Sequence, residues 1–138
     1  MPILNRQLTS NISLYELLFT STVNKVEILP FIEKAWSIEI ERNLQRIAER
    51  LQIIRDFYDR PLIITSGFRP TAWELKQGRK GGSMHTKGFA ADFHIIGVPL
   101  EELLKLVNST FKKGGRAINP SANFIHLDCR SDYATWNY

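Results

Sequence analysis

The sequence predicts an α+β fold: a small, mainly antiparallel sheet with N-terminal helices packed against it. Three observations carry this expectation. Apolar residues at Ile40, Leu44, Ile47, Leu51, Ile54 and Tyr58 recur at steps of three and four, one face of a helix. Beyond residue 60 the helical pattern gives way to short strand-like runs, PLIIT, FAADFHII and NFIHLDCR. Gly- and Pro-containing breaks separate those runs and leave room for only short helices between them.

Taken in order, Ser13 is placed to cap a short helix, LYELLFT. A longer helix is expected from Pro30, a good first-turn residue, to Tyr58. Its charged face (Glu41, Arg42, Arg46, Glu49, Arg50) is solvated. Asp59-Arg60-Pro61 ends it, because a residue before proline avoids the helical region. Leu62 to Thr65 reads as a buried strand and Ala72 to Gln77 as a brief helix. GRKGGSMHTKG is a glycine-rich loop and FAADFHII a strand. A helix from Leu100 to about Phe111 follows Pro99, with Leu103, Leu104 and Val107 inward. Gly114-Gly115 breaks it. GRAIN is an edge strand or hairpin arm, NPSAN a turn and NFIHLDCR a strand. No repeat or linker divides the chain, so one domain over 1–138 is expected, with a helical lead-in at 1–60 and the sheet at 61–138.

The 138 residues suffice for one hydrophobic core, and 43% hydrophobic with 23% charged residues is a globular composition. The net charge of +4 favours acidic partners such as an anionic cell wall. The basic residues are spread out and form no nucleic-acid arm, so no nucleic-acid partner is expected. The lone cysteine, Cys129, permits no intrachain disulfide. MPILNRQLTSNISLYELLF lacks the layout of a signal peptide, and no apolar run approaches a membrane span. Synthesis in the cytoplasm and a monomeric state are the expectations.

Strand alternation exposes the polar residues that need explaining. In FAADFHII, Asp92 and His94 share one face and Phe89, Ala91, Phe93 and Ile95 the other. In NFIHLDCR, His126, Asp128 and Arg130 oppose Ile125, Leu127 and Cys129. A carboxylate on a central strand is costly unless it is paired or holds a metal. Asp92 capping a turn or pairing with an arginine, and His126 at the surface, would be the ordinary explanations. Together with His85, however, these residues are of the types that bind zinc, and three protein ligands leave a fourth position for water.

ITSGFRP, SMHTKGFAAD and FIHLD resemble, in order, the motifs of the zinc D-Ala-D-Ala carboxypeptidase family, which includes phage endolysins and cell-wall endopeptidases. Ser66, Gly67 and Arg69 match its SGxR element. Ser83, His85, Gly88, Ala90 and Asp92 match SxHxxGxAxD, and His126 matches the late histidine. HLDCR is most similar to the subgroup with His-x-Asp on the last strand. The resemblance implies a hedgehog/DD-peptidase-like fold, Zn2+ as cofactor and His85, Asp92 and His126 as its ligands. It implies that Arg69 contacts substrate and stabilises the developing oxyanion, and that Ser83 can bond the substrate. A planar, permanently charged fork suits a terminal carboxylate or a tetrahedral intermediate. Gly88 would turn the chain from ligand loop into strand, and Ala90 would keep the floor of the site low.

The chain also departs from the family pattern. Many members carry an acidic general base three residues before the last histidine, where this sequence has Asn123. Asp128 is the nearest replacement, as base, as orienter of His126 or as a partner for Arg130. His94, about 7 Å along the strand from Asp92, is open between proton donor, alternative ligand and a histidine at the strand's solvent end. Cys129 points to the apolar face. Trp136 and Tyr138 pack over the sheet or line a groove. The leading expectation is a zinc peptidase acting on peptidoglycan stem peptides or cross-links, reaching the wall as a released lysin or working in cytoplasmic peptide recycling. The alternatives are an inactive wall-binding module that retains the zinc site, and a metal-dependent nuclease. Two histidines with one aspartate argue for zinc against the Mg2+ or Mn2+ of a nuclease.

Overall fold

The computed structural model describes residues 3–138; the first two residues of the expected lead-in lie outside the described residues. Helices α1 (Leu14–Leu18), α2 (Lys25–Ala35) and α3 (Ile38–Tyr58) come first. They are followed by β1 (Ile63–Ser66), α4 (Thr71–Lys76), a short 3-10 helix (Met84–Lys87), β2 (Ala90–His94), α5 (Leu100–Thr110), β3 (Gly114–Asn119), β4 (Phe124–Asp128) and β5 (Tyr133–Asn137). The α+β expectation holds.

Local chemistry explains most boundaries. Ser13 accepts from the Glu16 backbone N–H, and Glu16 reaches back to the Ser13 N–H, so α1 starts in a capping box. The single helix expected from Pro30 to Tyr58 is in fact two. Asn24 caps α2 through the Glu27 N–H, which places Pro30 inside that helix, and Ser37 caps α3 through the Ile40 N–H. Two side-chain caps outweigh proline's preference for a first turn. The end of α3 is set by Asp59, which turns left-handed at φ 51°, before Pro61 is reached.

The five strands lie in the order β1-β2-β4-β3-β5. All neighbours are antiparallel except β3 and β5, which run parallel. GRAIN is thus a hairpin arm inside the sheet and not its edge. The edge beside it is β5, which the sequence reading did not identify as a strand. The NPSAN turn between β3 and β4 closes with Asn123 left-handed at φ 55°, a conformation asparagine tolerates. In β1 the pairing with β2 shifts between Ile64 and Ser66, a bulge at the strand's last residues.

The core lies between the helices and one face of the sheet. Leu44, Ile47, Leu51 and Ile54 of α3 are fully buried in one cluster with Ala91, Phe93, Ile125, Leu127 and Cys129. Burial pushes the Cys129 thiol up to about 11, so it is a small core residue and offers no thiolate. Arg46 donates to the Cys129 carbonyl at 2.9 Å and ties α3 to the end of β4. With this face committed to the helices, the polar residues of β2 and β4 occupy the opposite face. Leu51→Ala is expected to cost about 2–5 kcal/mol, read as a lower midpoint at unchanged slope in urea unfolding.

Candidate metal centre and substrate cleft

The register of the central strands builds the site. Asp92 of β2 lies directly opposite His126 of β4, and Ala90 opposite Asp128. The third residue, His85, sits in the 3-10 helix that enters β2. Gly88 ends that helix at φ 86°, and a Cβ there would also stand 3.2 Å from the Ile40 carbonyl oxygen. Glycine therefore makes the turn that carries the chain from His85 to Asp92. His85, Asp92 and His126 are 2%, 5% and 3% exposed, and one ligand atom from each lies within 4.8 Å of the others.

Hydrogen bonding decides which atoms these are. His85 Nδ1 lies 2.7 Å from the Gly67 carbonyl oxygen, which can only accept, so Nδ1 carries the proton. Its Nε2 then turns to Asp92 Oδ2, 3.3 Å away. His126 stands between two carboxylates. Nε2–H donates to Asp128 Oδ2 at 2.8 Å, and Nδ1 faces Asp92 Oδ1 at 2.9 Å. Two imidazole nitrogens thus meet one carboxylate in a buried space, an arrangement that requires positive charge there, from protons or from a cation. The donor set of two imidazoles and one carboxylate fits Zn2+.

The ionisation of these groups follows. Burial opposes the Asp92 charge, but His85 and His126 outweigh it and hold the carboxyl well below the usual carboxylate range. Burial likewise opposes charge on His126, but its bonds to Asp128 and Asp92 raise it above the usual imidazole value. Asp128 is fully buried. The bonds from His126, the Arg130 side chain and the backbone N–H groups of Arg130 and Gly115 overcome that burial and hold it well below the usual range. Its Oδ1 accepts from Gly115 N at 2.8 Å, Arg130 N at 3.0 Å and Arg130 Nε at 3.0 Å; Arg130 Nη2 reaches Oδ2 at 2.7 Å. Of the three roles open for Asp128, the contacts to His126 and to Arg130 are both made.

The remaining expected residues fall around this centre. Arg69 follows β1, and its backbone N–H bonds the His85 carbonyl at 3.1 Å. Its Nη1 donates to Ser66 Oγ at 3.0 Å and its Nε to Glu74 Oε2 at 3.0 Å. Ser83 gives its hydroxyl proton to the same Glu74 oxygen. A cleft of about 690 Å³ opens beside Asp92, between Thr20–Asn24 and Glu27 on one wall and Asn119, Ala122 and Phe124 on the other. A smaller recess of about 370 Å³ is lined by Ser83, His85, His126, Arg130 and Trp136. Arg69 and Tyr138 line both. Trp136 packs against the His126 ring at 5.0 Å and carries the Arg130 guanidinium 5.1 Å above it, so it both packs over the sheet and lines the groove.

Asn123 is exposed in its turn, where the left-handed backbone, not the site, accounts for it. His94 is half-buried at the end of β2 opposite Ile63, and its Nδ1 has no partner among the described residues. It lies outside the three-residue cluster. The sequence reading missed Glu74, whose place on a six-residue helix gave no periodic signal, and Gly115. A Cβ at Gly115 would collide with Asp128 Oδ2 and stand 2.8 Å from the Arg130 guanidinium.

A family model described as Peptidase M15 matches residues 14–128, most of the chain, including His85, Asp92 and His126. The chain belongs to this peptidase family. It is 39% identical over 74 residues to the peptidoglycan L,D-endopeptidase MepK of Escherichia coli, a segment covering 50% of this chain and 40% of that protein. It is 34% identical over 70 residues to the probable peptidoglycan L,D-endopeptidase MepK of Haemophilus influenzae, 47% of this chain and 37% of that one. The match thus spans well under half the length of these relatives. Among the described residues of this M15 chain, no helix is long and apolar enough to cross a membrane.

Gly115→Ala is expected to destabilise the fold by about 1–3 kcal/mol. Gly82→Ala, whose Cβ would meet nothing within 4 Å, is expected to change stability by less than about 0.5 kcal/mol. Paired thermal or urea unfolding curves check this.

Proposed function

We propose that the chain is a zinc metallopeptidase that hydrolyses peptide bonds in peptidoglycan stem peptides or their cross-links. The observation that carries this reading is the convergence of His85 Nε2, Asp92 and His126 Nδ1 in an M15 chain, with Asp92 lining the larger cleft, both histidines lining the smaller recess, and Arg69 lining both. Those three residues would hold Zn2+, which when bound supplies a Lewis acid and lowers the pKa of a water. The imidazoles stay oriented because each spends its other ring nitrogen on a fixed acceptor, the Gly67 carbonyl for His85 and Asp128 for His126.

Arg69 binds the substrate carbonyl or carboxylate. Nε and Nη1 are occupied, and Nη2 has no protein partner among the described residues, so one edge of the fork remains for the ligand. Asp128 acts on His126 and does not carry the proton from water: both its oxygens are engaged and its charge is strongly stabilised. Its chemistry is that of a positioning carboxylate. Recesses on both sides of Arg69 leave room for peptide in two directions. That favours an internal bond over a terminal one, in keeping with the endopeptidase names of the relatives.

Digestion of defined muropeptides with mass analysis of the products tests the reading. Zinc-loaded wild type is expected to release stem-peptide fragments and His126→Ala to release none. Equal products from both would remove the zinc assignment, and uncut sacculi and peptides with fully loaded protein would leave the alternative of an inactive wall-binding module. Asp128→Asn is expected to bind zinc about 10- to 100-fold more weakly, measured by competition with a chromophoric chelator, with the fold retained.

A further inference from the structure

Glu74 is the one buried carboxylate near the site that the chemistry above leaves without a role. It is 1% exposed and projects from α4. Its Oε2 accepts from two residues expected to meet substrate, Arg69 through Nε at 3.0 Å and Ser83 through its hydroxyl. Its Oε1 is buried with no partner among the described residues. A buried carboxylate oxygen left unbonded is costly, so the packing alone gives no reason for an acid here. Ser83 immediately precedes the 3-10 helix that carries His85, and its carbonyl accepts from both the backbone N–H and the hydroxyl of Thr86. One carboxylate therefore ties the arginine at the end of β1 to the start of the loop that presents a metal-site histidine.

The guanidinium geometry gives the consequence. Glu74 fixes the Nε edge and Ser66 fixes Nη1, so the plane of the fork is set from two sides and Nη2 is left for the cleft. Without Glu74, Arg69 would keep one side-chain bond, to Ser66, and could rotate about it. We propose that Glu74 is a positioning residue of the peptidase: it orients Arg69 toward the substrate and locks the Ser83 turn to it, touching neither substrate nor metal itself. The inference rests on the peptidase reading above for its kinetic consequence, but the brace itself is a property of the free protein.

Two readouts test it. In 1H–15N spectra the Arg69 Nε–H, identified by its disappearance in Arg69→Lys, is expected to be a protected, slowly exchanging signal in wild type and to lose that protection in Glu74→Ala. In assays on a defined stem peptide, Glu74→Ala is expected to lower kcat/KM by about 10- to 100-fold at unchanged zinc content. In an Arg69→Ala background the same substitution is expected to change it by less than about twofold, because it acts through the arginine. Glu74→Gln preserves shape and covers the case in which Glu74→Ala does not fold; it is expected to show a smaller loss in the same direction and a shifted Arg69 Nε–H. The proposal is overturned by an Arg69 Nε–H that stays protected without Glu74, by losses that multiply in the double variant, or by wild-type behaviour of a folded Glu74→Gln. If wild type cuts no peptide while the Nε–H still depends on Glu74, the brace stands and the peptidase reading falls.

Discussion

The bond that the site depends on is the one between His126 and Asp128. It turns a buried imidazole so that one nitrogen is spent and the other faces Asp92. Because the two residues are two apart on β4, strand alternation alone puts them on one face, and the antiparallel register adds Asp92 across the ladder. A fully buried carboxylate such as Asp128 is tolerable only when every lone pair is answered. Arg130 and the Gly115 N–H answer them, and the close approach requires that residue 115 have no side chain. The constraint thus reaches from β4 into β3 and, through Arg130 stacked on Trp136, into β5.

The opposite face of the same strands explains how such a polar cluster can sit in a small protein. Ile125, Leu127, Ala91 and Phe93 are committed to the helices, in one cluster with the apolar stripe of α3 and with Leu103 and Val107 of α5. That packing supplies the stability against which a row of buried polar groups must be held. The helices also shape the cleft, since the α1–α2 connection at Thr20–Asn24 forms one of its walls. A second polar assembly, Ser66, Arg69, Glu74 and Ser83, joins β1, α4 and the loop that leads to His85. The two assemblies meet at His85, whose carbonyl accepts from the Arg69 N–H. The groups proposed to face substrate and those proposed to hold the metal are therefore parts of one hydrogen-bonded frame.

Sequence periodicity carried a large part of this. The helical face of α3, the alternation in β2 and β4 and the inward Cys129 could be read from residue spacing, because each rests on local geometry; the grouping of His85, Asp92 and His126, which joins residues 34 apart, came from the resemblance of their motifs to a known family. What could not be read depended on contacts distant in sequence. The split between α2 and α3 turned on Ser37 and Asn24 acting as caps, which Pro30 masked. The strand character of Tyr133–Asn137 comes from pairing beside β3, an edge that exists only once the sheet is built. Glu74 looked like any acid on a short surface helix until folding enclosed it. Asn123 stood out in the motif, yet its left-handed turn is reason enough for its identity.

The central claim of the proposed function is that His85 Nε2, Asp92 and His126 Nδ1 form a three-residue donor set for zinc that leaves a fourth position open. X-ray absorption on the zinc-loaded protein tests it most directly. The account predicts a first shell of nitrogen and oxygen only, at about 2.0–2.1 Å, with the outer scattering of two imidazoles. A thiolate sulfur at about 2.3 Å, for which Cys129 is the single cysteine, or a shell without imidazole, would contradict it.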